Sequence, residues 1–320
     1  MDIPGNDYCG YHPDCRATEN RQSQRITILE IITCPLCGVL QQSEWKKVQD
    51  RLNPSPGKHY TLVRCTCGFV YLNPRYTEND IAEFYLSDQY DPHVSHPHNL
   101  YTGMYNLVRR FALYLKMRTI ERHVRKGSLL DIGGGTGEFC RYMQSRHWEV
   151  TMFDSSEKAR SIAEKRGINC IHKFSELGDA RQFDVITLWH SLEHIHDLKM
   201  LFDMVKTHLK PDGFLVIAVP SMMANERRFY PDTWAPYDAP RHLYHFSPDN
   251  LKRFLDSRGF EICYSLPIYQ DTPYNILLSI KNRSFPQLIK AAYVWMSSWS
   301  QIFFKGNYFT SSTEVVCRLK

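Results

Sequence analysis

The chain lacks a basic block. Its 39 Lys and Arg and 34 Asp and Glu are spread along 320 residues, and a net charge of +5 is too mild for the clustered footprint of a nucleic-acid binder. It opens on no apolar leader, since Met1 to Thr27 is polar and rich in Asp, Arg and Gln, which argues against a secretory signal. No uninterrupted apolar run is long enough to span a bilayer. Residues 285–304 come nearest, with Tyr293, Trp295, Trp299, Phe303 and Phe304, but Lys290 and several Ser and Gln break the run. That segment reads as a cap over the active site or an oligomer contact ahead of a peripheral membrane contact, because an interfacial helix carries more Lys and Arg along its polar face. Paired cysteines are also few among the ten. Cys140, Cys170, Cys263 and Cys317 stand singly in predicted strands and helices, where a free thiol serves as a small hydrophobe. With no leader, this predicts a reducing, cytoplasmic home.

What is present centres on Ser128-Leu129-Leu130-Asp131-Ile132-Gly133-Gly134-Gly135-Thr136-Gly137. An apolar run ending in an acid and a glycine cluster reads as a buried parallel strand, a tight turn, and the start of a helix at Glu138. Val150-Thr151-Met152-Phe153 then ends in Asp154, an acid placed to bind the two hydroxyls of a ribose. A dinucleotide fingerprint needs G-x-G-x-x-G, and Glu138 stands where its third glycine should be. This counts against an NAD-dependent sugar-modifying oxidoreductase, the first alternative.

Asp131-x-Gly133-x-Gly135-x-Gly137, with Asp154 after the next strand, resembles the class I S-adenosylmethionine-dependent methyltransferases. The resemblance implies that Asp131, Gly133, Gly135 and Gly137 seat the methionine part of S-adenosyl-L-methionine, that Asp154 takes the ribose, and that Leu192 lines the adenine or methyl side. It implies a doubly wound, Rossmann-like seven-stranded sheet. Strands are predicted at 128–132, 148–153, 168–171, 183–188, 213–219 and 260–265, with helices near 137–146, 155–166, 197–209 and 248–257. Lys210-Pro211-Asp212-Gly213 reads as the turn before the fifth strand. Glu314–Leu319 reads as a last edge strand, which in the resembled fold runs antiparallel between the fifth and sixth.

Ahead of this stand Cys34-Pro35-Leu36-Cys37-Gly38 and Cys65-Thr66-Cys67-Gly68. Four thiolates suffice for a closed tetrahedral zinc site, and the glycine after each pair lets the backbone turn back to the metal. The second pair is C-x-C where a zinc ribbon has C-x-x-C. The intervening Asn53–Gly57 reads as a hairpin tip. The pattern, running into Phe69-Val70-Tyr71-Leu72-Asn73-Pro74-Arg75, resembles the module preceding many bacterial methyltransferases of sugars or cell-envelope intermediates. The expected organisation is a flexible terminus at 1–28, where Cys9, His12 and Cys15 form a weak second cluster, a cysteine-rich zinc module at 29–75, a helical lid or linker at 76–126, and a methyltransferase domain at 127–320 with a helical insertion at 270–310. The lid includes a long amphipathic helix from Asn99 to Arg125, and Tyr85, Tyr90 and Tyr101 lie within reach of a ligand. The second alternative is a non-catalytic zinc-module adaptor.

Five histidines fall on the loops after predicted strands four and five: His190, His194, His196, His242 and His245. Neutral imidazole is the natural base near pH 7. Leu192-Glu193-His194 resembles the post-strand-four motif of quinone O-methylating enzymes, whose first acid is replaced here by His190. His242-Leu243-Tyr244-His245-Phe246-Ser247 resembles a segment of nucleotide-sugar C-methyltransferases. That resemblance makes His242 the base and His194 its companion. Arg241, beside the base, points to a small-molecule acceptor carrying an anionic group.

Overall fold

The computed structural model describes residues 28–85, 100–282, 284–305 and 309–320, without the side chains of 100–107 and 302–305. Cys9, His12, Cys15 and Tyr90 lie outside the described residues, as does the side chain of Tyr101.

Short strands before residue 77 build a small sheet. β1 (Leu29–Glu30) pairs with β5 (Arg75–Tyr76), while β2 (Gln42–Val48), β3 (Tyr60–Cys65) and β4 (Val70–Leu72) form an antiparallel meander. The β2–β3 connection carries the Asn53–Gly57 turn, as its Pro and Gly content predicts. After a single turn, α1 (Glu78–Ile81), comes the long α2 (Leu100–Glu121), which buries Met117 and Ile120 against the main sheet.

The main sheet follows the predicted alternation. Its elements in chain order are β6 (Ser128–Ile132), α3 (Glu138–Gln144), β7 (Glu149–Phe153), α4 (Glu157–Lys165), β8 (Asn169–Ile171), β9 (Phe183–Trp189), α5 (Leu198–His208) and β10 (Leu209–Pro220). Then come β11 (Tyr244–His245), α6 (Pro248–Asp256), β12 (Phe260–Pro267), α7 (Asp271–Ser279), α8 (Phe285–Lys305) and β13 (Ser312–Leu319). Polar side chains start the helices: Ser156, Asp197 and Ser247 accept hydrogen bonds from the amides of Ala159, Met200 and Asn250.

Strand order is β12-β13-β10-β9-β6-β7-β8. The five strands from β10 to β8 are parallel, and β13 runs antiparallel to both its neighbours. This is the arrangement the class I methyltransferase resemblance implies. It corrects one expectation: β13 is not an edge strand, and β12 takes the edge. Alternate strand residues face opposite layers, Leu130 and Ile186 into one core cluster and Leu129 and Val185 into the other. A second correction concerns Lys210–Gly213. The β9–β10 ladder already begins at Leu209 and shifts register before Phe214, so these residues bulge from the strand. A side chain at Gly213 would stand 3.0 Å from the Asp184 carbonyl, so the bulge lies tight on its neighbour.

The small sheet is not a separate body. β11, from the loop after β10, pairs antiparallel with β4 and completes a sheet of order β11-β4-β3-β2. Leu62, Phe69, Tyr71 and Leu72 share one core cluster with Leu130, Ile186 and Ile217.

Candidate active site

Strand order reverses on either side of β6, which opens a crevice at the carboxyl ends of β6 and β9, the usual ligand position in such sheets. The β6–α3 loop lies in that crevice. Gly133 has φ +76°, in the left-handed region, and a Cβ there would stand 2.5 Å from that of Ser191, so only glycine fits. Gly133 is exposed, Gly134 and Gly135 half-exposed. The Asp154 carboxylate reaches over the same loop, accepting from the Gly135 amide through Oδ2 at 2.8 Å and from the Ser156 amide through Oδ1 at 2.8 Å. Beside it Phe153 and Phe174 form an aromatic pair with centroids 4.1 Å apart. A half-buried acid at the strand tip, an adjoining ring pair and a side-chain-free loop fit the sugar, base and amino-acid ends of a nucleoside carrying an aminoacyl tail. Asp131 lies deeper. It is 2 % exposed, and its carboxylate accepts from Thr187 Oγ1 at 2.6 Å and from the Cys140 thiol at 3.3 Å. Burial raises its pKa.

The histidines converge beyond β9 and β10. The rings of His194 and His242 are 4.7 Å apart and nearly perpendicular, and His245 is 6.4 Å from His242. His242 Nδ1 lies 2.8 Å from the Pro236 carbonyl. A carbonyl only accepts, so Nδ1 carries a proton, and in the neutral ring the lone pair lies on Nε2, 4.0 Å from Asp238 Oδ2. His194 Nδ1 is 3.1 Å from the Arg241 carbonyl and 3.0 Å from the Tyr85 hydroxyl. Burial and the neighbouring His242 lower His194 to about 4, and the same two causes lower His245 to about 3. Both are neutral at pH 7. Glu193 is fully buried with neither carboxylate oxygen hydrogen-bonded, and its ligand atom lies within 4.8 Å of those of His194 and His242. His190, held at φ +54°, places Nδ1 3.7 Å from Glu193 and Nε2 3.0 Å from Asp271 at the start of α7. Burial opposes a charge on His190, but the Asp271 carboxylate outweighs it and raises the group to about 10. His196 turns away, its Nε2 3.0 Å from the Tyr76 carbonyl.

Two sequence expectations fail here. Leu192 has no exposed surface and belongs to the hydrophobic core, so it does not line the crevice. Its short helix, Leu192–His194, turns that side chain inward while the two following residues face the histidine cluster. Arg241 is likewise 0 % exposed. Its guanidinium donates to Asp50 Oδ1 at 2.8 Å, Asp50 Oδ2 at 3.3 Å, and the two Asp238 oxygens at 2.8 and 3.0 Å. Its hydrogen-bonding fork is spent on joining the small sheet to the loop that carries His242, which removes the ground for expecting an anionic acceptor.

The four module cysteines do come together despite the short second pair. Sγ atoms of Cys34, Cys37, Cys65 and Cys67 lie within 4.8 Å of one another, with Cys34–Cys67 at 3.6 Å and Cys37–Cys65 at 3.5 Å. Zinc–sulfur bonds of ~2.3 Å in a tetrahedron put sulfurs about 3.8 Å apart, whereas a disulfide needs about 2.05 Å. The set therefore suits a tetrahedral metal. Gly68, at φ +89°, donates its amide to the Cys65 carbonyl at 2.9 Å and closes the turn that C-x-C shortens.

Sequence reasoning missed Asp271. Asp271 meets His190 only through the position of α7, and no local motif marks it. A groove of about 510 Å³ between α2 and α3, lined by Arg109, Arg110, Arg141 and Arg166 with Glu138, includes none of the acids or histidines above.

Residues 104–265 match the family described as a methyltransferase domain. The chain is 29% identical over 173 residues to the demethylmenaquinone methyltransferase of Thermotoga maritima, covering 44% of this chain and 73% of that one. Against the ubiquinone biosynthesis O-methyltransferase of Rickettsia canadensis it is 22% identical over 170 residues, covering 49% and 72%. Among solved structures, a SAM-dependent methyltransferase from Archaeoglobus fulgidus aligns with a TM-score of 0.43 and 17% identity, over 68% of this chain and 99% of that one.

Proposed function

We propose, from the premise that the chain belongs to the methyltransferase domain family, that this S-adenosylmethionine-dependent methyltransferase methylates a hydroxyl of a small-molecule acceptor, with His242 as general base. Bound S-adenosylmethionine supplies an electrophilic methyl group, so the protein's task is alignment and proton removal. Asp154 holds the ribose hydroxyls, and the loop from Gly133 to Gly137 with Asp131 beneath it seats the aminoacyl end. His242 Nε2 takes the acceptor's proton while Nδ1–H stays on the Pro236 carbonyl, which fixes the ring and its tautomer. That bond is the observation that carries the reading. His194, held neutral and shifted to about 4, is the weaker base and positions the acceptor or His242. A neutral imidazole matches an acidic hydroxyl better than an aliphatic one, so a phenol-like acceptor (pKa ~10) suits it better than a sugar. The names of the quinone-pathway relatives point the same way, while the resemblance to sugar C-methyltransferases keeps a sugar as the competitor. Cys34, Cys37, Cys65 and Cys67 hold a structural zinc.

The test is methyl transfer from labelled S-adenosylmethionine to a dihydroxybenzene acceptor and to a nucleotide sugar. His242→Ala should lose roughly 10²–10⁴ in rate with affinity for S-adenosylhomocysteine retained. Unchanged turnover removes His242 from the mechanism. One observation favours a second reading: the two oxygens of buried Glu193, which accept no hydrogen bond and lie beside His194 and His242, also suit a divalent cation. Elemental analysis separates the two, with one metal per chain for the base reading and two for the cation.

A further inference from the structure

Helix α8 is held to the fold by a narrow strip. Ala291, Val294 and Ser298 are buried, and Asn225 donates to Ser297 and Ser298 at 3.1 and 3.3 Å. At about 100° per residue, the opposite face carries Phe285, Leu288, Ile289, Trp295, Met296 and Trp299 along one continuous arc. All six are exposed, from 40% for Leu288 to 75% for Phe285. Single exposed apolar residues are ordinary, but a contiguous row along about four turns of helix marks an interaction surface. The Ser and Gln residues that break the apolar run in sequence fall mostly on the inward side, so they do not interrupt this row.

The surrounding charge says what the face fits. Residues 272–313 contain Lys281, Arg283, Lys290 and Lys305 and no Asp or Glu. A two-fold contact with a second copy would set the exposed Lys281 and Lys290 against the same two cations, since such an interface presents one patch to itself, and Asp232, the acid that Lys281 faces, is already paired with Lys46 at 2.7 Å. An anionic bilayer satisfies both the apolar row and the cations, with Trp295, Trp299 and Tyr269, which is stacked on Trp299 at 5.2 Å, suited to the headgroup level. Lys281, exposed just before α8, and Lys290, exposed on the helix with its Nζ 3.0 Å from the Phe229 carbonyl, supply the described cations beside the row. No described helix is long and apolar enough to cross a membrane. From these observations we propose that the outer face of α8 docks the enzyme flat on an anionic lipid surface. The face adjoins the active site, because α7, packed against α8, begins at the Asp271 that binds His190. The inference stands apart from the methyl-transfer reading.

Co-sedimentation of the full chain with vesicles of phosphatidylcholine, with and without phosphatidylglycerol, tests it. The chain should bind the anionic vesicles and release at high salt. Lys281→Ala should weaken binding about fivefold, and Ile289→Asp with Met296→Asp should cut it at least tenfold at an unchanged melting temperature. Overturning results are no binding to anionic vesicles, equal binding to neutral ones, unaltered binding of the double variant, or a lipid-free dimer that the double variant splits. Calorimetry with S-adenosylhomocysteine on the same samples reports the cofactor reading separately.

Discussion

Removing the Arg241 guanidinium gives the sharpest test of how the loop carrying His242 is held. Arg241→Met keeps the volume and leaves Asp50 and Asp238, 4% and 8% exposed, without their shared cation. Breaking a buried pair on one side costs about 3–5 kcal/mol, because a desolvated charge stays behind. Arg51, 3.5 Å from Asp238, offsets part of this, so a loss near 3 kcal/mol is the expectation. Urea unfolding followed by tryptophan fluorescence measures it. The pH dependence adds a second reading. Burial opposes ionisation of Asp238, but the Arg241 hydrogen bond and charge win and lower it to about 2 from an ordinary ~3.8. A depressed acid stabilises the fold above its unfolded pKa and loses that contribution as pH falls through the folded one. About 2 kcal/mol should therefore disappear between pH 4 and 2 in the natural chain and be absent in Arg241→Met. Adding Asp50→Asn and Asp238→Asn to Arg241→Met should recover most of the loss, since no orphan charge remains. A loss under about 1 kcal/mol, combined with a raised KM for an anionic acceptor, would refute the reasoning and return Arg241 to substrate binding.

Asp154→Ala should weaken S-adenosylhomocysteine binding by roughly 10–100-fold in calorimetry, the worth of a charged acceptor on two hydroxyls, and little change would displace it from the ribose. Cys65→Ser should release the module's metal and lower the melting temperature by roughly 5 °C or more; a melting curve insensitive to both the variant and chelation argues against zinc. His194 and His245, lowered to about 4 and about 3, bind protons later in the folded chain than in the unfolded one. Stability should be full above pH ~6.5 and fall by on the order of 2 kcal/mol for each histidine by pH 5, and a flat melting temperature from pH 7 to 5 contradicts their burial as neutral rings.

The parallel sheet was legible because its signals are local. The parallel strands are short apolar runs closed by glycine, acid or turn residues, and α4, α5 and α6 begin at the polar caps Ser156, Asp197 and Ser247. Asp131, Asp154 and the glycine loop sit within one strand-helix-strand unit, from β6 to the end of β7. What escaped depends on contacts across long separations. Leu192 belongs to a motif suggesting a lining residue, yet three residues of tight helix turn it into the core. Arg241 next to a base reads as an anion receptor until Asp50, 191 residues earlier, is seen to occupy it. Asp271 pairs with His190 because α7 follows the edge strand back over the site, and no periodicity encodes that.

The same separations explain why the cysteine module is more than an attachment. Its sheet lacks a fourth strand until Tyr244–His245 supplies one, two residues past the base. Leu243 is gripped from both sides, donating its amide to the Glu193 carbonyl at 2.7 Å and accepting from the Leu72 amide at 2.9 Å. The cysteine turns are tied to the domain as well, through Arg253 on the Cys67 carbonyl at 3.0 Å and Arg258 on the Pro35 carbonyl at 3.0 Å. A long loop such as 221–247 carries an entropic cost for holding any one geometry, and catalysis is sensitive to displacements of about 1 Å. Strand pairing, the Asp50–Arg241 clamp and the cysteine turns together fix the loop on which His242 stands. Holding the loop that carries His242 is thus the physical work that joins this module to the main sheet.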